Sequence, residues 1–235
     1  MKIFAKIRFY WGAFIISAFV GLGMIPLITL FPKYKGLIMH KLNRVILFFM
    51  GAKVKTYGSR DNKTTLFIMN HQGIMDIIAL EAVENTHFRW VAKKELFETP
   101  WFGHLLKNGD MISVDRQNKA GLLKFLKDAK ITVEEKNRAI AIFPEGTRSP
   151  NQKLLSFKAG PKLIANKLHL RIQPIVITGS KNILNEHDRT AHSGTINLHY
   201  LEAFNVDGAQ KDWYEKTKEH MQNIINREYQ KGVER

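Results

Sequence analysis

The feature that most constrains the fold of this chain is the alternation of short apolar runs with helical patterns from Ala52 onward. The apolar runs are typical of buried strands and lie at Val54–Tyr57, Thr65–Met69, Phe88–Ala92, Met111–Val114, Ala139–Phe143, Ile172–Thr178 and Thr195–Tyr200. Helical patterns lie between or after them, at Ile74–Glu84, Lys93–Phe97, Trp101–Lys107, Lys119–Glu135, Phe157–Leu168 and Lys211–Gln230. This alternation predicts an α/β domain over residues 52–235, with a mixed, mostly parallel sheet flanked by helices.

The N-terminal part of the chain is apolar in a different way. No charged residue occurs from Tyr10 to Leu30, a run long enough to span a bilayer as a helix or to lie within one leaflet. Basic residues precede the run, which favours a cytoplasmic start, and no small-residue cleavage pattern follows it, which argues against a signal peptide. We expect Pro26 to kink this helix near its end.

A second segment, Leu37–Met50, is apolar but carries polar and basic residues, as in an amphipathic interfacial helix. Residues 1–51 are therefore predicted to form a membrane-associated two-helix anchor in front of the domain. The pattern leaves open whether the first helix crosses the membrane or only embeds in it, and an ordinary pair of core helices is the alternative.

The composition narrows the classes of partner. The chain of 235 residues has 36 Lys and Arg against 21 Asp and Glu, a net charge of +15, which favours an anionic partner. It has no cysteine, which excludes disulfides, thiolate catalysis and cysteine-ligated metals. A membrane-tethered nucleic-acid binder is disfavoured, because the basic residues are spread along the chain and no nucleic-acid-binding motif occurs.

The turn Asn70–Asp76 follows one predicted strand and precedes a helix. The side chains of His71 and Asp76 can meet only if His71 lies in the turn and Asp76 on the first helical turn, a bend that Gly73 would ease. The residues alone fit a catalytic pair and a polar loop with a helix cap about equally well.

Two later turns have a similar placement. At Ser113–Lys119 the cations Arg116 and Lys119 stand near a predicted helix N-terminus, an arrangement that a bound anion would stabilise. At Phe143–Pro150 the side chains of Glu145 and Arg148 project from a loop after a central strand, and Lys158 opens the next helix. A solvated basic turn and a surface ion pair are the simpler explanations of these two sites.

Taken together, these blocks resemble the glycerolipid acyltransferase superfamily, and within it the bacterial 1-acylglycerol-3-phosphate acyltransferases. The resemblance is carried by Asn70-His71-x4-Asp76 and by Phe143-Pro144-Glu145-Gly146-Thr147-Arg148-Ser149, with Asp115-Arg116 and Ile172-Gln173-Pro174-Ile175 as further blocks in the family's order. Lys119 stands where the family often has Arg, and Gln173 interrupts a usually apolar block. These departures bear on substrate preference.

The resemblance implies acyl transfer from a thioester, acyl-CoA or acyl carrier protein, to the free sn-2 hydroxyl of 1-acylglycerol-3-phosphate (lysophosphatidic acid), giving phosphatidic acid. Such a reaction needs a base, for which His71 is the candidate, with Asp76 orienting the imidazole. It implies no cofactor and no metal. The predicted substrate-binding residues are Arg116, Lys119, Glu145, Gly146, Thr147, Arg148 and Lys158, with the cations on the phosphate and the Glu145–Gly146 turn on the glycerol part.

The resemblance also implies a place in the cell. We expect a bacterial inner-membrane protein with its active site on the cytoplasmic face, in contact with an anionic membrane surface and not with nucleic acid.

Three alternatives remain at this stage. Another lysolipid could be the acceptor, because members of the superfamily share these blocks. A serine hydrolase also uses His and Asp, but the chain has no Gly-x-Ser-x-Gly elbow. The cluster Glu186-His187-Asp188 with His192 could be offered as a metal site, but it lacks ligand spacing on a helix and is predicted to be a solvated loop.

Overall fold

The computed structural model describes residues 2–115 and 118–233. Its N-terminal helical stretch, Lys2–Leu30, consists of α1 (Lys2–Ala18), a π-helical segment (Phe19–Met24) and α2 (Ile25–Leu30). Pro26 lies in the first turn of α2, directly after the π-helical segment, and the kink expected from this proline stays a prediction. Within the described part of the chain, this stretch is the one candidate for a membrane span by length and composition.

A short 3-10 helix (Pro32–Tyr34) leads into α3, which runs over Lys35–Met50. Gly51 ends α3 in the left-handed region, with φ of 61° and its N–H bonded to carbonyls of the last turn.

The domain that follows has the predicted alternation. Its strands are β1 (Ala52–Tyr57), β2 (Leu66–Met69), β3 (Arg89–Lys93), β4 (Ile112–Val114), β5 (Ile140–Ile142), β6 (Arg171–Thr178), β7 (Leu184–Asn185), β8 (Thr190–Ala191), β9 (Gly194–Tyr200) and β10 (Phe204–Asn205). Its helices are α4 (Ile74–Val83), α5 (Phe102–Asn108), α6 (Lys119–Lys130), α7 (Ala159–Lys167), α8 (Ser180–Ile183) and α9 (Trp213–Val233).

The main sheet is mixed and mostly parallel, so the predicted fold class is confirmed. Its strand order is β1-β9-β6-β2-β5-β3-β4, with β10 antiparallel to β6 at one end of that strand. The five strands from β6 to β4 are mutually parallel, whereas β9 runs antiparallel to β6 and pairs in parallel with β1. The carboxyl ends of β2 and β5 therefore lie side by side at one edge of the sheet.

Each of the seven predicted strands forms, with ends within two residues of the predicted ones. The segment predicted as a helix at Lys93–Phe97 forms a 3-10 helix, Lys94–Glu98. Strands β7, β8 and β10 were not predicted, because two residues are too short to show a period.

The hydrophobic core lies on both faces of the sheet. On β2, Phe67 and Met69 pack toward α1–α5 and α8, whereas Leu66 and Ile68 pack toward α6, α7 and α9, and all four are fully buried. The N-terminal helices share the first of these cores, to which they contribute Met24, Ile28, Met39, Ile46, Leu47 and Met50. The division into residues 1–51 and 52–235 stays a prediction, and the packing joins the two parts through one core.

Candidate active site

The turns after β2 and β5 lie next to each other because the two strands are parallel neighbours. Ile68 of β2 pairs with Ile142 of β5, so both chains leave the sheet at the same edge. In α/β sheets this carboxyl edge is where ligands bind. His71 and Glu145, which are 74 positions apart in the sequence, are thereby brought into contact.

The side chains of His71 and Asp76 meet in the way that their spacing required. Helix α4 begins at Ile74, which puts Asp76 on its first turn, and Asp76 Oδ2 accepts the Nδ1–H of His71 at 2.9 Å. The same oxygen also accepts the backbone N–H groups of Gln72 at 2.6 Å and Gly73 at 2.9 Å. The Asp76 carboxylate is fully buried and holds the imidazole through Nδ1. The other ring nitrogen, Nε2, therefore points away from Asp76.

The plane of the His71 ring is set by an aromatic stack. The ring lies on Phe143 with centroids 3.9 Å apart and planes 11° from parallel, and Phe143 stacks in turn on Trp90 at 5.4 Å. Trp90 Nε1–H donates to the buried carboxyl of Glu81 at 2.6 Å, and burial raises the pKa of Glu81 to about 7. Within residues 2–115 and 118–233, no group hydrogen-bonds to His71 Nε2, which leaves this atom available to a substrate hydroxyl.

The turn after β5 holds the backbone of His71 at two points. The buried Glu145 carboxylate accepts the N–H of His71 at 2.9 Å and that of Leu155 at 2.7 Å, and burial raises its pKa. Ser149 N–H donates to the carbonyl of His71 at 2.8 Å. Gly146 closes the turn with φ of 70°, a left-handed conformation that favours glycine, and its N–H donates to the Phe143 carbonyl at 3.0 Å.

These two contacts with the His71 backbone were not predicted from the sequence, which showed only a Glu in a turn after a central strand. The sequence instead predicted that Glu145 binds the glycerol part of a substrate. That role stays a prediction, and in this structure both Glu145 oxygens already accept backbone N–H groups.

The other predicted cations lie around the same edge. Arg148 and Thr147 are exposed on the turn after β5, and the Arg148 guanidinium pairs with Glu186. Lys158 is exposed at the start of α7, and its N–H donates to the Pro144 carbonyl at 2.8 Å.

The turn after β4 is partly described. Lys119 is the first residue of α6 and is exposed, and the preceding Asn118 caps the helix by accepting the Gly121 N–H at 2.7 Å. Arg116, the other predicted cation of this turn, lies outside the described residues.

Glu186 is a residue at this edge that the sequence did not single out for catalysis. It lies in a turn and is partly exposed, in keeping with the solvated loop predicted there, and its Oε1 accepts the Ile74 N–H of α4 at 3.0 Å. Among the described residues, no three His, Asp or Glu side chains are grouped in a way that could hold a metal ion.

Comparison with known proteins places this chain in a family. The family model described as Acyltransferase matches residues 52–178, more than half of the chain. A 1-acyl-sn-glycerol-3-phosphate acyltransferase from Helicobacter pylori is 40% identical over 180 residues, which are 76% of this chain and 76% of that protein. The chain belongs to the acyltransferase family, and the resemblance read from its motifs is confirmed.

More distant relatives support the same family assignment. The protein of the same name from Haemophilus influenzae is 28% identical over 77% of this chain and 75% of its own length. That from Cocos nucifera is 29% identical over 81% of this chain, and the match spans 61% of its length. The crystal structure of the 1-acyl-sn-glycerophosphate (LPA) acyltransferase PlsC from Thermotoga maritima has the same fold, with a TM-score of 0.78, 21% identity and coverage of 100% of this chain and 99% of that one.

Proposed function

We propose that this protein transfers a fatty acyl group from an acyl thioester to the sn-2 hydroxyl of 1-acylglycerol-3-phosphate, giving phosphatidic acid for phospholipid biosynthesis. The observation that carries the proposal is the His71–Asp76 pair. The Nε2 atom of His71 has no hydrogen-bond partner among the described residues, and the turn after β5 at the same edge carries Arg148. The names of the relatives supply the substrate class.

In the proposed reaction His71 acts as a general base. The substrate hydroxyl donates its proton to Nε2 as its oxygen attacks the thioester carbonyl, because an alcohol is a weak nucleophile until the proton leaves. Asp76 stabilises the imidazolium that forms. The tetrahedral intermediate then collapses, and the leaving thiolate takes the proton from the imidazolium and departs as a thiol. The substrate hydroxyl takes the place of a catalytic serine, so no acyl-enzyme forms.

The phosphate of the acceptor is the proposed ligand of the cations at this edge. Arg148 offers a planar pair of donors suited to phosphate oxygens, and Lys158 lies at the end of the same loop. Lys119 and Arg116 would add charge from the turn after β4. Glu145 shapes the turn that carries Gly146, Thr147 and Arg148, so its contribution to glycerol binding would be exerted mainly through that turn.

The acyl donor and the membrane are the remaining partners of the proposal. Acyl-CoA and acyl carrier protein present the same thioester, and no cofactor takes part. Membrane association would come from residues 1–51, whose exposed apolar side chains include Ile3, Phe4, Ile7, Phe14, Leu22, Leu30 and Phe48. We place the enzyme at the cytoplasmic face of a bacterial inner membrane, where an anionic surface would attract its net charge of +15.

An acyl-transfer assay tests the proposal. Purified protein in vesicles would receive labelled acyl-CoA or acyl carrier protein, with lysophosphatidic acid, another lysophospholipid or no acceptor. We expect labelled phosphatidic acid from lysophosphatidic acid. Free fatty acid released without acceptor would indicate a hydrolase instead. Preference for another lysophospholipid would mean that this lipid, and not lysophosphatidic acid, is the acceptor.

Variants of the dyad sharpen this assay. We expect His71→Ala to lose about a thousandfold or more in kcat, and Asp76→Asn about 100-fold to 10,000-fold, with little change in KM. The exposed His192 provides a matched control, since His192→Ala should keep wild-type kcat. Turnover retained in His71→Ala would remove His71 as the base.

A further inference from the structure

The hairpin formed by β7 and β8 brings a carboxylate to the edge where an acidic substrate would bind. Glu186, at the start of the hairpin turn, pairs through Oε2 with Arg148 and accepts the Ile74 N–H through Oε1 at 3.0 Å. The Arg148 and Glu186 side chains are 46% and 32% exposed, so solvent and solutes reach both.

The hairpin holds this carboxylate in place. Leu184 and Ala191 pair across the two strands, both are buried in the core, and β8 packs against α1. Asn185 closes the turn by accepting the N–H groups of His187 at 3.1 Å and Asp188 at 3.0 Å. The backbone next to Glu186 is therefore fixed, and its position is a property of the fold.

The groups that hold Glu186 are of the kinds that bind phosphate in proteins. A guanidinium and the free N–H of a helix N-terminus both prefer an anion, and Arg148 with α4 supplies one of each. Glu186 satisfies them with one negative charge and two oxygens. A phosphate monoester carries up to two charges and three terminal oxygens, so it competes for these donors better than a carboxylate does.

We propose that Glu186 is an internal anion that occupies the acceptor's phosphate position and is displaced when a phosphate monoester binds. It is a positioning residue: in the absence of substrate it keeps Arg148 at the edge of the site. It also sets specificity, because a phosphodiester with a single charge displaces Glu186 less readily than a monoester does. This inference rests on the proposed function, in which Arg148 binds the acceptor phosphate.

The first test measures phosphate affinity and needs no turnover. Inorganic phosphate is titrated by calorimetry into the full-length wild type and the Glu186→Gln variant. The variant glutamine can still accept the Ile74 N–H but no longer competes as an anion, so we expect it to bind phosphate about tenfold more tightly than the wild type. Thermal unfolding confirms that the variant is folded.

Two further variants control for the effect of removing a negative charge anywhere near the site. Asp188→Asn removes an equal charge from the same hairpin without touching Arg148, and it should bind phosphate within about twofold of the wild type. Adding Arg148→Ala to Glu186→Gln should abolish the gain. An affinity in Glu186→Gln that equals or falls below that of the wild type, or an equal gain in Asp188→Asn, would overturn the proposal.

The second test is kinetic. For Glu186→Gln we expect a several-fold lower KM for lysophosphatidic acid with kcat nearly unchanged, and a smaller preference for monoester over diester acceptors. A raised KM would mean that Glu186 only supports Arg148, against the proposal.

The two tests distinguish failure of the proposed function from failure of this inference. If the wild type fails to acylate lysophosphatidic acid but Glu186→Gln still gains phosphate affinity, the proposed function is wrong and the role of Glu186 as an internal anion is supported. If the wild type is active and the phosphate affinity of Glu186→Gln is unchanged, only the role proposed for Glu186 is refuted.

Discussion

Asp76 has two structural tasks in one carboxylate. Its Oδ2 accepts the Gly73 N–H at the start of α4, which caps the helix, and the Nδ1–H of His71, which orients the imidazole. A negative charge on the first turn also suits the positive end of the helix dipole. The residue that caps the start of the helix is therefore also the one that orients the proposed base.

Glu81 leads to a prediction about pH and stability. Burial raises its pKa from 4.5 to about 7, so between these values the folded chain holds a proton that the unfolded chain has lost. The contribution of Glu81 to the free energy of unfolding should thus fall as pH rises from 4.5 to about 7, by about 3 kcal/mol in total, and stay constant above.

Glu81→Gln removes this titration. Urea unfolding of the wild type and the variant in one detergent, from pH 5 to pH 8, should show the variant gaining relative stability as pH rises. Glu202→Gln changes an exposed glutamate and should run parallel to the wild type. Parallel curves for wild type and Glu81→Gln would contradict the predicted protonation.

At the scale of elements, the end of β2 decides where His71 lies. Asn70 continues the pairing of β2 with β6 through its side chain: Nδ2–H donates to the Ile177 carbonyl at 2.8 Å, and Oδ1 accepts the Ile177 N–H at 2.7 Å. Asn70 is buried, so both bonds are shielded from water. The turn that carries His71 thus starts from a fixed point.

We predict that Asn70→Ala is destabilising by about 2–4 kcal/mol, because it leaves the N–H and the carbonyl of Ile177 buried without these partners. It should also lower kcat, since the turn that carries His71 would no longer be held to β6 through Asn70. Chemical unfolding and the acyl-transfer assay measure the two effects. Asn223→Ala, on the exposed side of α9, should change stability by less than about 0.5 kcal/mol, and an equally small effect of Asn70→Ala would refute the argument.

At the scale of the whole molecule, the N-terminal helices have two kinds of surface. One side supplies Met24, Ile28 and Ile46 to the core of the α/β domain. The other leaves large apolar side chains exposed, among them Leu22 in the π-helical segment. A surface of this kind on a helix that also belongs to the core is expected to face lipid.

Substituting lysine for Leu22 tests this orientation. Leu22 is 76% exposed, and a lysine is costly in a helix that lies in lipid, so Leu22→Lys should lower binding to phosphatidylglycerol-containing vesicles by about tenfold or more. Leu123→Lys is the control, since Leu123 is 68% exposed on α6, a helix that packs in the other core cluster from the N-terminal helices. Equal binding of the two variants in a co-sedimentation assay would count against lipid contact through Leu22.

Much of this architecture could be predicted from the sequence because the relevant signals are local. The apolar runs specified the main strands, and His71 and Asp76 lie within one turn, so their contact required only a helix start between them. Family membership was readable for the same reason, since each block is a contiguous string of residues. The hairpin of β7 and β8 was missed because its strands are too short to show a pattern.

The sequence by itself determined the fold class, the apolar N-terminal stretch, the family and the residues that could do the chemistry. Only the tertiary structure decided which of them meet across the sheet. It joined Glu145 to the backbone of His71 and Glu186 to Arg148, because the order of parallel strands and the placement of a short hairpin bring distant parts of the chain together. These contacts depend on long-range packing, which leaves no periodic or contiguous trace in the sequence.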